Sequence, residues 1–276
     1  MARHPLAGRG VVVTGAASGI GEALAHGLVA RGARVLLADL HAERLAAVAE
    51  AIAARGGDCV PMVLDVADPE AAQALAARAQ AAWGGADVLV NNAGVSLIGP
   101  VDGLPERDAQ WLMDVNFNAV VRGCRAFLPQ LRARRGSAIV NVSSVFAMVA
   151  PPTQSMYAAS KAAVRAFSDV LREEVREAGV RVLLVHPGGI RTRIVESARV
   201  VDTALVADSH AALARRFEAA ARTSAPQAAE AMLRALERGD ERLLIGVDAR
   251  LGDAMFRLAP GRAGAWFTAL ANRLRR

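Results

Sequence analysis

The chain holds one tyrosine and one lysine, and both fall in a single run, Tyr157-Ala-Ala-Ser-Lys161. Apart from the histidines, every other basic side chain is arginine. Arginine stays charged and presents a broad planar fork, whereas lysine carries a compact ammonium whose pKa its surroundings can tune. A lone lysine in so arginine-rich a chain marks a position where arginine's chemistry fails. Four residues apart on a helix, the two side chains project from one face. A free phenol, with a pKa of about 10, is too weakly ionised to act as a base at neutral pH, but a neighbouring ammonium favours the phenolate. Taken alone, a Tyr/Lys pair at this spacing is also what a solvated helix surface carries.

A second group of residues suits a phosphate. Val11-Val12-Val13 runs into Thr14-Gly15-Ala16-Ala17-Ser18-Gly19-Ile20-Gly21 and then a helical stretch, which sets a glycine-rich turn at a helix N-terminus. Close backbone approach and the positive end of the helix dipole suit a pyrophosphate there. The spacing departs from G-x-G-x-x-G, and an ordinary tight turn has the same composition. Asp39 ends the next apolar run about twenty residues beyond, where a carboxylate can bind both ribose hydroxyls of an adenosine and repel a 2′-phosphate, or else cap the following helix. No cation interrupts Ala16-Ala17-Ser18 and Leu40 follows the acid, so NAD is favoured over NADP. Asp65, ahead of Val66, can accept from an adenine amine or cap a helix.

These residues need a scaffold that brings loop ends together. Short apolar runs at 10–14, 35–39, 59–65, 88–91, 138–143, 180–186 and 243–247 alternate with longer Ala-rich amphipathic stretches. That alternation predicts parallel strands with crossover helices on both faces, an α/β doubly wound sheet of about seven strands. With 276 residues and no linker or repeat, the chain reads as a single domain over 1–276. Residues 190–223 are too long for a plain connection and predict a helical flap. No apolar stretch approaches the roughly 20 residues of a spanning helix, and the N-terminus carries no signal-peptide pattern, which reads as cytoplasmic. Cys59 and Cys124 match no metal or redox spacing, so no metal site is expected. The net charge of +6 comes with no nucleic-acid-binding motif, and nucleic acid is not expected as a partner.

With Thr14 to Gly21, Asn91-Asn92-Ala93-Gly94, Ser144, Tyr157-x-x-x-Lys161 and Pro187-Gly188 in this order, the chain resembles the classical short-chain dehydrogenases/reductases, over about residues 6–195 and again near Leu243. The resemblance implies a Rossmann-like sheet of seven strands and hydride exchange between a nicotinamide dinucleotide and a CH–OH group. It implies a catalytic set of Asn116, Ser144, Tyr157 and Lys161. Tyr157 would take the alcohol proton during oxidation and return it during reduction. Lys161 would also hold the nicotinamide ribose, Ser144 would donate to the substrate oxygen, and Asn116 would order a water beside the lysine. The cofactor's adenosine half would meet Gly15, Ser18, Gly19, Ile20, Gly21, Asp39, Leu40, Asp65 and Val66, with the Asn91-to-Gly94 backbone packed against it through Asn92, Ala93 and Gly94. Pro187, Gly188, Ile190 and Thr192 would face the nicotinamide, although a Pro-Gly pair also serves ordinary turns.

Around the substrate the resemblance sets Ser96, Leu97, Val145, Phe146, Met148, Pro151, Pro152 and Met156, with Ile194 and Val195 from the flap. Charge is nearly absent, which points to a small hydrophobic secondary alcohol or ketone. An NADP(H)-dependent ketone or 3-oxoacyl reductase and a non-catalytic NAD-sensing protein are the alternatives. Family likeness also implies a homodimer or homotetramer, with helices near 111–131 and 156–177 pairing between subunits. The extension at 249–276 carries Trp266, Phe267, Leu270 and Leu274 on one helical side among arginines. Packing on the domain or a partner subunit is favoured for it, with peripheral membrane contact as the alternative.

Overall fold

The computed structural model describes residues 5–201 and 209–273, with the side chains of the last helix described to Leu270. Seven strands, β1 (Gly10–Thr14), β2 (Arg34–Asp39), β3 (Cys59–Val63), β4 (Val88–Asn91), β5 (Ala138–Val142), β6 (Arg181–Pro187) and β7 (Arg242–Ile245), form one sheet. All pairings are parallel, in the order β7-β6-β5-β4-β1-β2-β3. The order reverses between β1 and β4, and such a switch point opens a crevice at the carboxyl ends of the strands.

The helices are α1 (Gly19–Ala30), α2 (Ala42–Ala53), α3 (Ala71–Trp83), α4 (Glu106–Met113), α5 (Ala119–Arg132), α6 (Ser155–Val175), α7 (His210–Ala220), α8 (Ala225–Arg238), α9 (Val247–Leu258) and α10 (Ala263–Arg273). Alternation along the strands divides the core into two layers. Val11, Val13, Val35, Leu37 and Val140 pack with Leu24 of α1, Leu45 and Ile52 of α2, and Met232 of α8. Val12, Leu36, Leu89 and Ile139 point the other way, onto Leu75 of α3, Phe127 of α5 and Val164 of α6. Burial on both faces is why these strands read as unbroken apolar runs.

Punctuation residues end the elements. Left-handed glycines at Gly84 and Gly239 close α3 and α8, and a Ser224/Gln227 capping box opens α8. Three predicted strands end early, β5 by a single residue at Val142. Leu64 and Asp65 lie beyond β3, where the Asp65 carboxylate accepts the Ala67 N–H at 2.9 Å. β7 stops at Ile245 because Gly246, at φ 96°, turns the chain into α9.

Residues 190–223 are less helical than predicted. Ile190–Arg191 pairs with Thr223–Ser224, and Arg199–Val200 pairs with Leu97–Ile98, so two short parallel ladders moor the segment. Of its described part only α7 is helical; 202–208 lie outside the described residues. The tail folds back as the pair α9 and α10. Phe267 and Leu270 are half-buried with Ala263 buried beside them, while Trp266 is exposed. The side expected to carry both aromatics is therefore split: residues 263, 267 and 270 follow the one-face spacing of a helix, and Trp266 lies about 100° away from Phe267. Leu274 lies outside the described residues. Among the described residues no helix is long and apolar enough to cross a membrane.

Candidate active site

β1 delivers the glycine loop to the carboxyl edge of the sheet, and a short hydrogen-bond net ties it to the turn after β4. The Thr14 hydroxyl donates to the Val90 carbonyl (3.3 Å) and accepts from the Asn92 and Ala93 N–H groups, both at 3.1 Å. The Asn92 amide donates in return to the Thr14 and Gly15 carbonyls, at 2.9 and 3.3 Å. Gly15 has φ 68°, and a Cβ there would come within 2.9 Å of Ala93 Cα; one at Gly21 would overlap the Gly15 carbonyl. Ser18 precedes α1 without capping it through its side chain, so no side chain claims the first-turn N–H groups. Across this open N-terminus stands Thr192, whose Cγ2 is 3.1 Å from where a Gly19 Cβ would be. A backbone cradle closed to side chains and an uncapped helix N-terminus fit a dinucleotide's pyrophosphate.

Asp39 sets one carboxylate oxygen on the Ala17 N–H (3.0 Å) and the other on the His41 N–H (2.9 Å). It thus clasps the loop and forms a local turn, whereas His41 is the residue that precedes α2. Likewise Glu70, not Asp65, occupies the position before α3. Neither acid is a helix cap, and their remaining lone pairs stay available to a ligand. Leu40 is exposed beside Asp39, and Val66 borders a small cavity shared with Thr14 and Ala93. Asn91 turns away from the crevice: its amide donates to Asn141 Oδ1 at 2.8 Å inside the core.

The other half of the site hangs on β5 and α6. Past the end of β5, the Ser143 hydroxyl donates to the Lys161 carbonyl (2.7 Å), pinning α6 against the strand. Lys161 is buried and its Nζ donates to the Val142 carbonyl at 3.1 Å. Burial pulls its pKa down to about 8. The Tyr157 phenol is also buried, which pushes its pKa up, while a hydrogen bond with Ser144 pulls it back. The expected depression by the ammonium does not set the direction: desolvation disfavours the phenolate, and Lys161 Nζ stands 5.8 Å from the ring centre. Ser144 extends from the strand end with its Oγ accepting the Phe146 N–H at 3.1 Å.

Between α4 and α5 the helix widens into a π turn at Asp114–Asn118, a local feature frequent at functional sites. Asn116 lies in it, fully buried, and both ends of its amide bind the Val95 backbone, accepting the N–H at 2.8 Å and donating to the carbonyl at 3.0 Å. Gly94 is the meeting point: a Cβ there would be 3.3 Å from both Asn116 Oδ1 and Lys161 Nζ. Asn116, Ser144, Tyr157 and Lys161 thus gather where β4 and β5 end.

The model of the short-chain dehydrogenase family matches residues 9–201. The chain belongs to the short-chain dehydrogenase/reductase family. It is 37% identical over 254 residues, 91% of each chain, to the Mycobacterium tuberculosis protein SadH, whose description as an oxidoreductase is itself provisional. A short-chain dehydrogenase/reductase from Burkholderia phymatum, solved in complex with NAD, superposes with a TM-score of 0.81 at 29% identity, covering 94% of this chain and 96% of that one. A metagenomic short-chain oxidoreductase in complex with NADP is 39% identical, with a TM-score of 0.63 over 66% of this chain and 83% of that one. The chain is an NAD(P)-dependent oxidoreductase acting on CH–OH groups, and its seven-stranded sheet is the family's Rossmann-like fold.

In this dehydrogenase three features were invisible to motif reading. The first is Asp248 in α9. Its carboxylate accepts the Gly189 N–H at 2.5 Å, and a Cβ on Gly188 would overlap it, so the Pro187-Gly188-Gly189 turn is clasped from the first turn of α9. The second is His186, buried at the end of β6 with Nδ1 3.2 Å from the Ser144 carbonyl. A carbonyl only accepts, so Nδ1 carries the proton; burial, with Arg242 and Arg165 nearby, pulls the pKa down to about 4, and the ring is neutral at physiological pH. The third is a cavity of about 470 Å³ beside Ala17 and Ser18, bordered by Arg44, Arg191 and Arg193. A search for cations inside the glycine loop misses arginines that the fold brings from other segments.

The substrate wall is partly as expected. Leu97, Phe146, Met156 and Ile194 cluster around Tyr157, joined by Trp111, Leu104 and Val201, which sequence reading overlooked. Val145 and Met148 instead turn into a separate core under α9 and α10. Both belong to the tight turn that follows Ser144. Ser96 is buried, and its carbonyl accepts the Arg199 N–H at 3.0 Å. Pro152 is exposed, whereas Pro151, Val195, Ile190 and Thr192 are partly or fully covered. Arg199 lies flat on Trp111, 3.6 Å from the ring centre, with its charge taken by Asp108 at 2.7 Å.

Two outcomes follow from this geometry. Because the folded protein holds Lys161 below its ordinary pKa, the ammonium costs stability below about pH 8, and stability rises as the pH climbs from there toward the unfolded value near 10.5. Lys161→Met is expected to raise the unfolding free energy at pH 7 by about 1–3 kcal/mol and to flatten that rise, measured by denaturant titration at pH 7 and 9.5. Asp248→Ala is expected to lower stability by about 1.5–3 kcal/mol, the range for a hydrogen bond to a charged group, with Asp248→Asn losing less than half of that in the same assay.

Proposed function

We propose that this dehydrogenase exchanges a hydride between NAD(H) and a hydrophobic secondary alcohol or ketone, with Tyr157 as the general acid/base. The observation that carries the reading is the buried Tyr157 phenol close to Ser144 and one helical turn from the buried Lys161 side chain. In the oxidising direction the phenolate takes the alcohol proton as the carbinol carbon gives up its hydride. When bound, the oxidised dinucleotide would supply the hydride acceptor. The Ser144 hydroxyl donates to the substrate oxygen, where negative charge builds. Lys161, poised near pH 8, stabilises the phenolate and holds the ribose. Asn116 keeps the Gly94-Val95 backbone in place beside the lysine.

Leu97, Phe146, Met156, Ile194 and Trp111 offer the substrate an apolar wall, which supports a hydrophobic secondary alcohol. Residues 190–223 act in this reading as a substrate flap on one domain spanning 1–276. Asp39 supports NAD through its carboxylate at the loop, where a 2′-phosphate is repelled. Arg44, Arg191 and Arg193 at the neighbouring cavity are the observation that favours NADP instead.

Tyr157→Phe is expected to lower kcat at least about a hundredfold in an alcohol and ketone panel followed by absorbance of the reduced nicotinamide, with the dinucleotide's Kd changed less than threefold. Turnover at the wild-type rate in that variant removes the assignment. Asp39→Ala is expected to weaken NAD binding about tenfold and leave NADP binding equal or tighter, read as separate thermal shifts with each dinucleotide. Equal shifts with both in the wild type would overturn the reading of Asp39 as the residue that selects NAD.

A further inference from the structure

The α9–α10 hairpin carries an apolar stripe to solvent. Val247, Leu251, Ala254 and Leu258 recur at spacings of four, three and four along one side of α9, the spacing of a helix face. Val247, Leu251 and Leu258 are 75%, 37% and 84% exposed, and Ala254 is exposed as well. This is not the side that packs on the domain. Ala249 and Gly252 are buried on the inner side, where Met255 and Phe256 meet Val145 and Val149.

Charge around the stripe has one sign. Arg250 and Arg257 follow one edge of it by helical spacing, and the exposed Arg262 stands just past its end. The hairpin's two acids face inward: Asp248 holds the Gly189 N–H, and Asp253 is shared by Arg242 (2.6 Å) and Arg257 (2.9 Å). From residue 254 to 276 the sequence has no acid. A two-fold contact between stripes would bring the arginine edges of the two hairpins into one interface, with no outward acid on the hairpin to pair them. An anionic surface with an apolar layer beneath matches both the stripe and its edge.

We propose that the α9–α10 hairpin docks on anionic lipid, with Leu251 and Leu258 entering the acyl boundary and Arg250 and Arg262 meeting the headgroups. The same hairpin reaches the site: the Phe267 ring stands edge-on to Phe146 at 6.4 Å, and Phe146 to Tyr157 at 6.1 Å. Docking therefore sets a lipid surface one helix away from the substrate wall. The surface contact itself does not depend on the dehydrogenase reading.

The test is co-sedimentation of the full chain with phosphatidylcholine vesicles, with and without phosphatidylglycerol. Binding is expected only with phosphatidylglycerol, and it should fall several-fold when the screening length drops from about 10 Å at 0.1 M salt to about 3 Å at 1 M. Leu258→Asp is expected to cut vesicle binding about tenfold, and Arg250→Gln with Arg262→Gln about fivefold for each arginine, with unchanged thermal midpoints and unchanged mass by light scattering. Absence of binding to phosphatidylglycerol vesicles overturns the proposal. So does a fall in oligomer mass in Leu258→Asp, which would make the stripe a subunit contact.

Discussion

Lys161 puts an ammonium where water does not reach, and the surrounding elements are arranged to meet that cost. Its carbonyl is held by Ser143, its Nζ by the Val142 carbonyl, and the absence of a side chain at Gly94 leaves the space in which it lies beside Asn116. Desolvation acts on both members of the pair in the same sense, toward the neutral form: it raises the phenol and lowers the ammonium to about 8. Groups whose charged and neutral forms lie close in free energy near neutral pH are the ones that pass a proton readily. The same burial that weakens the fold locally brings Lys161 into that range, while it moves the Tyr157 phenol away from it.

Two other constraints build outward from that centre. On one side, Thr14, Asn92 and Asp39 bind backbone to backbone, so the glycine loop and the turn after β4 hold a fixed separation across the switch point. On the other, the C-terminal extension, which lies beyond the family match at 9–201, reaches back into the site. Asp248 clasps Gly189, Asp253 ties α9 to Arg242 of β7, and Phe267 backs Phe146. A segment that looks like an appendage in the chain is a buttress in the fold. Below it, His186 holds the Ser144 carbonyl from the neighbouring strand, so Ser144 is positioned by residues from β5, β6 and the turn at Phe146.

The seven strands, the helices between them and the glycine loop were legible in the amino-acid sequence, because these depend on local pattern. Unbroken apolar runs require burial on both faces, glycines at Gly15 and Gly21 require close backbone approach, and residues 157 and 161 must share a helix face. The gathering of Asn116, Ser144, Tyr157 and Lys161 was also anticipated, since the motifs occur in family order. Strand ends were misjudged by one or two residues where Asp65 and Gly246 turned the chain.

What the sequence alone could not decide was everything set by contacts between distant segments. The Tyr157 phenol is pushed up rather than down, because burial, a tertiary quantity, sets the direction. Val145 and Met148 left the substrate wall, Trp111 and Val201 joined it, and Arg44, Arg191 and Arg193 came together beside a loop that contains no cation. Asp248 shows the division most clearly: its neighbours Gly188 and Gly189 lie some sixty residues earlier, and no periodicity or spacing encodes such a pairing. The lone tyrosine and lysine stood out by composition as a candidate chemical pair. Their working state came from the fold, because only packing determines how much water each group keeps.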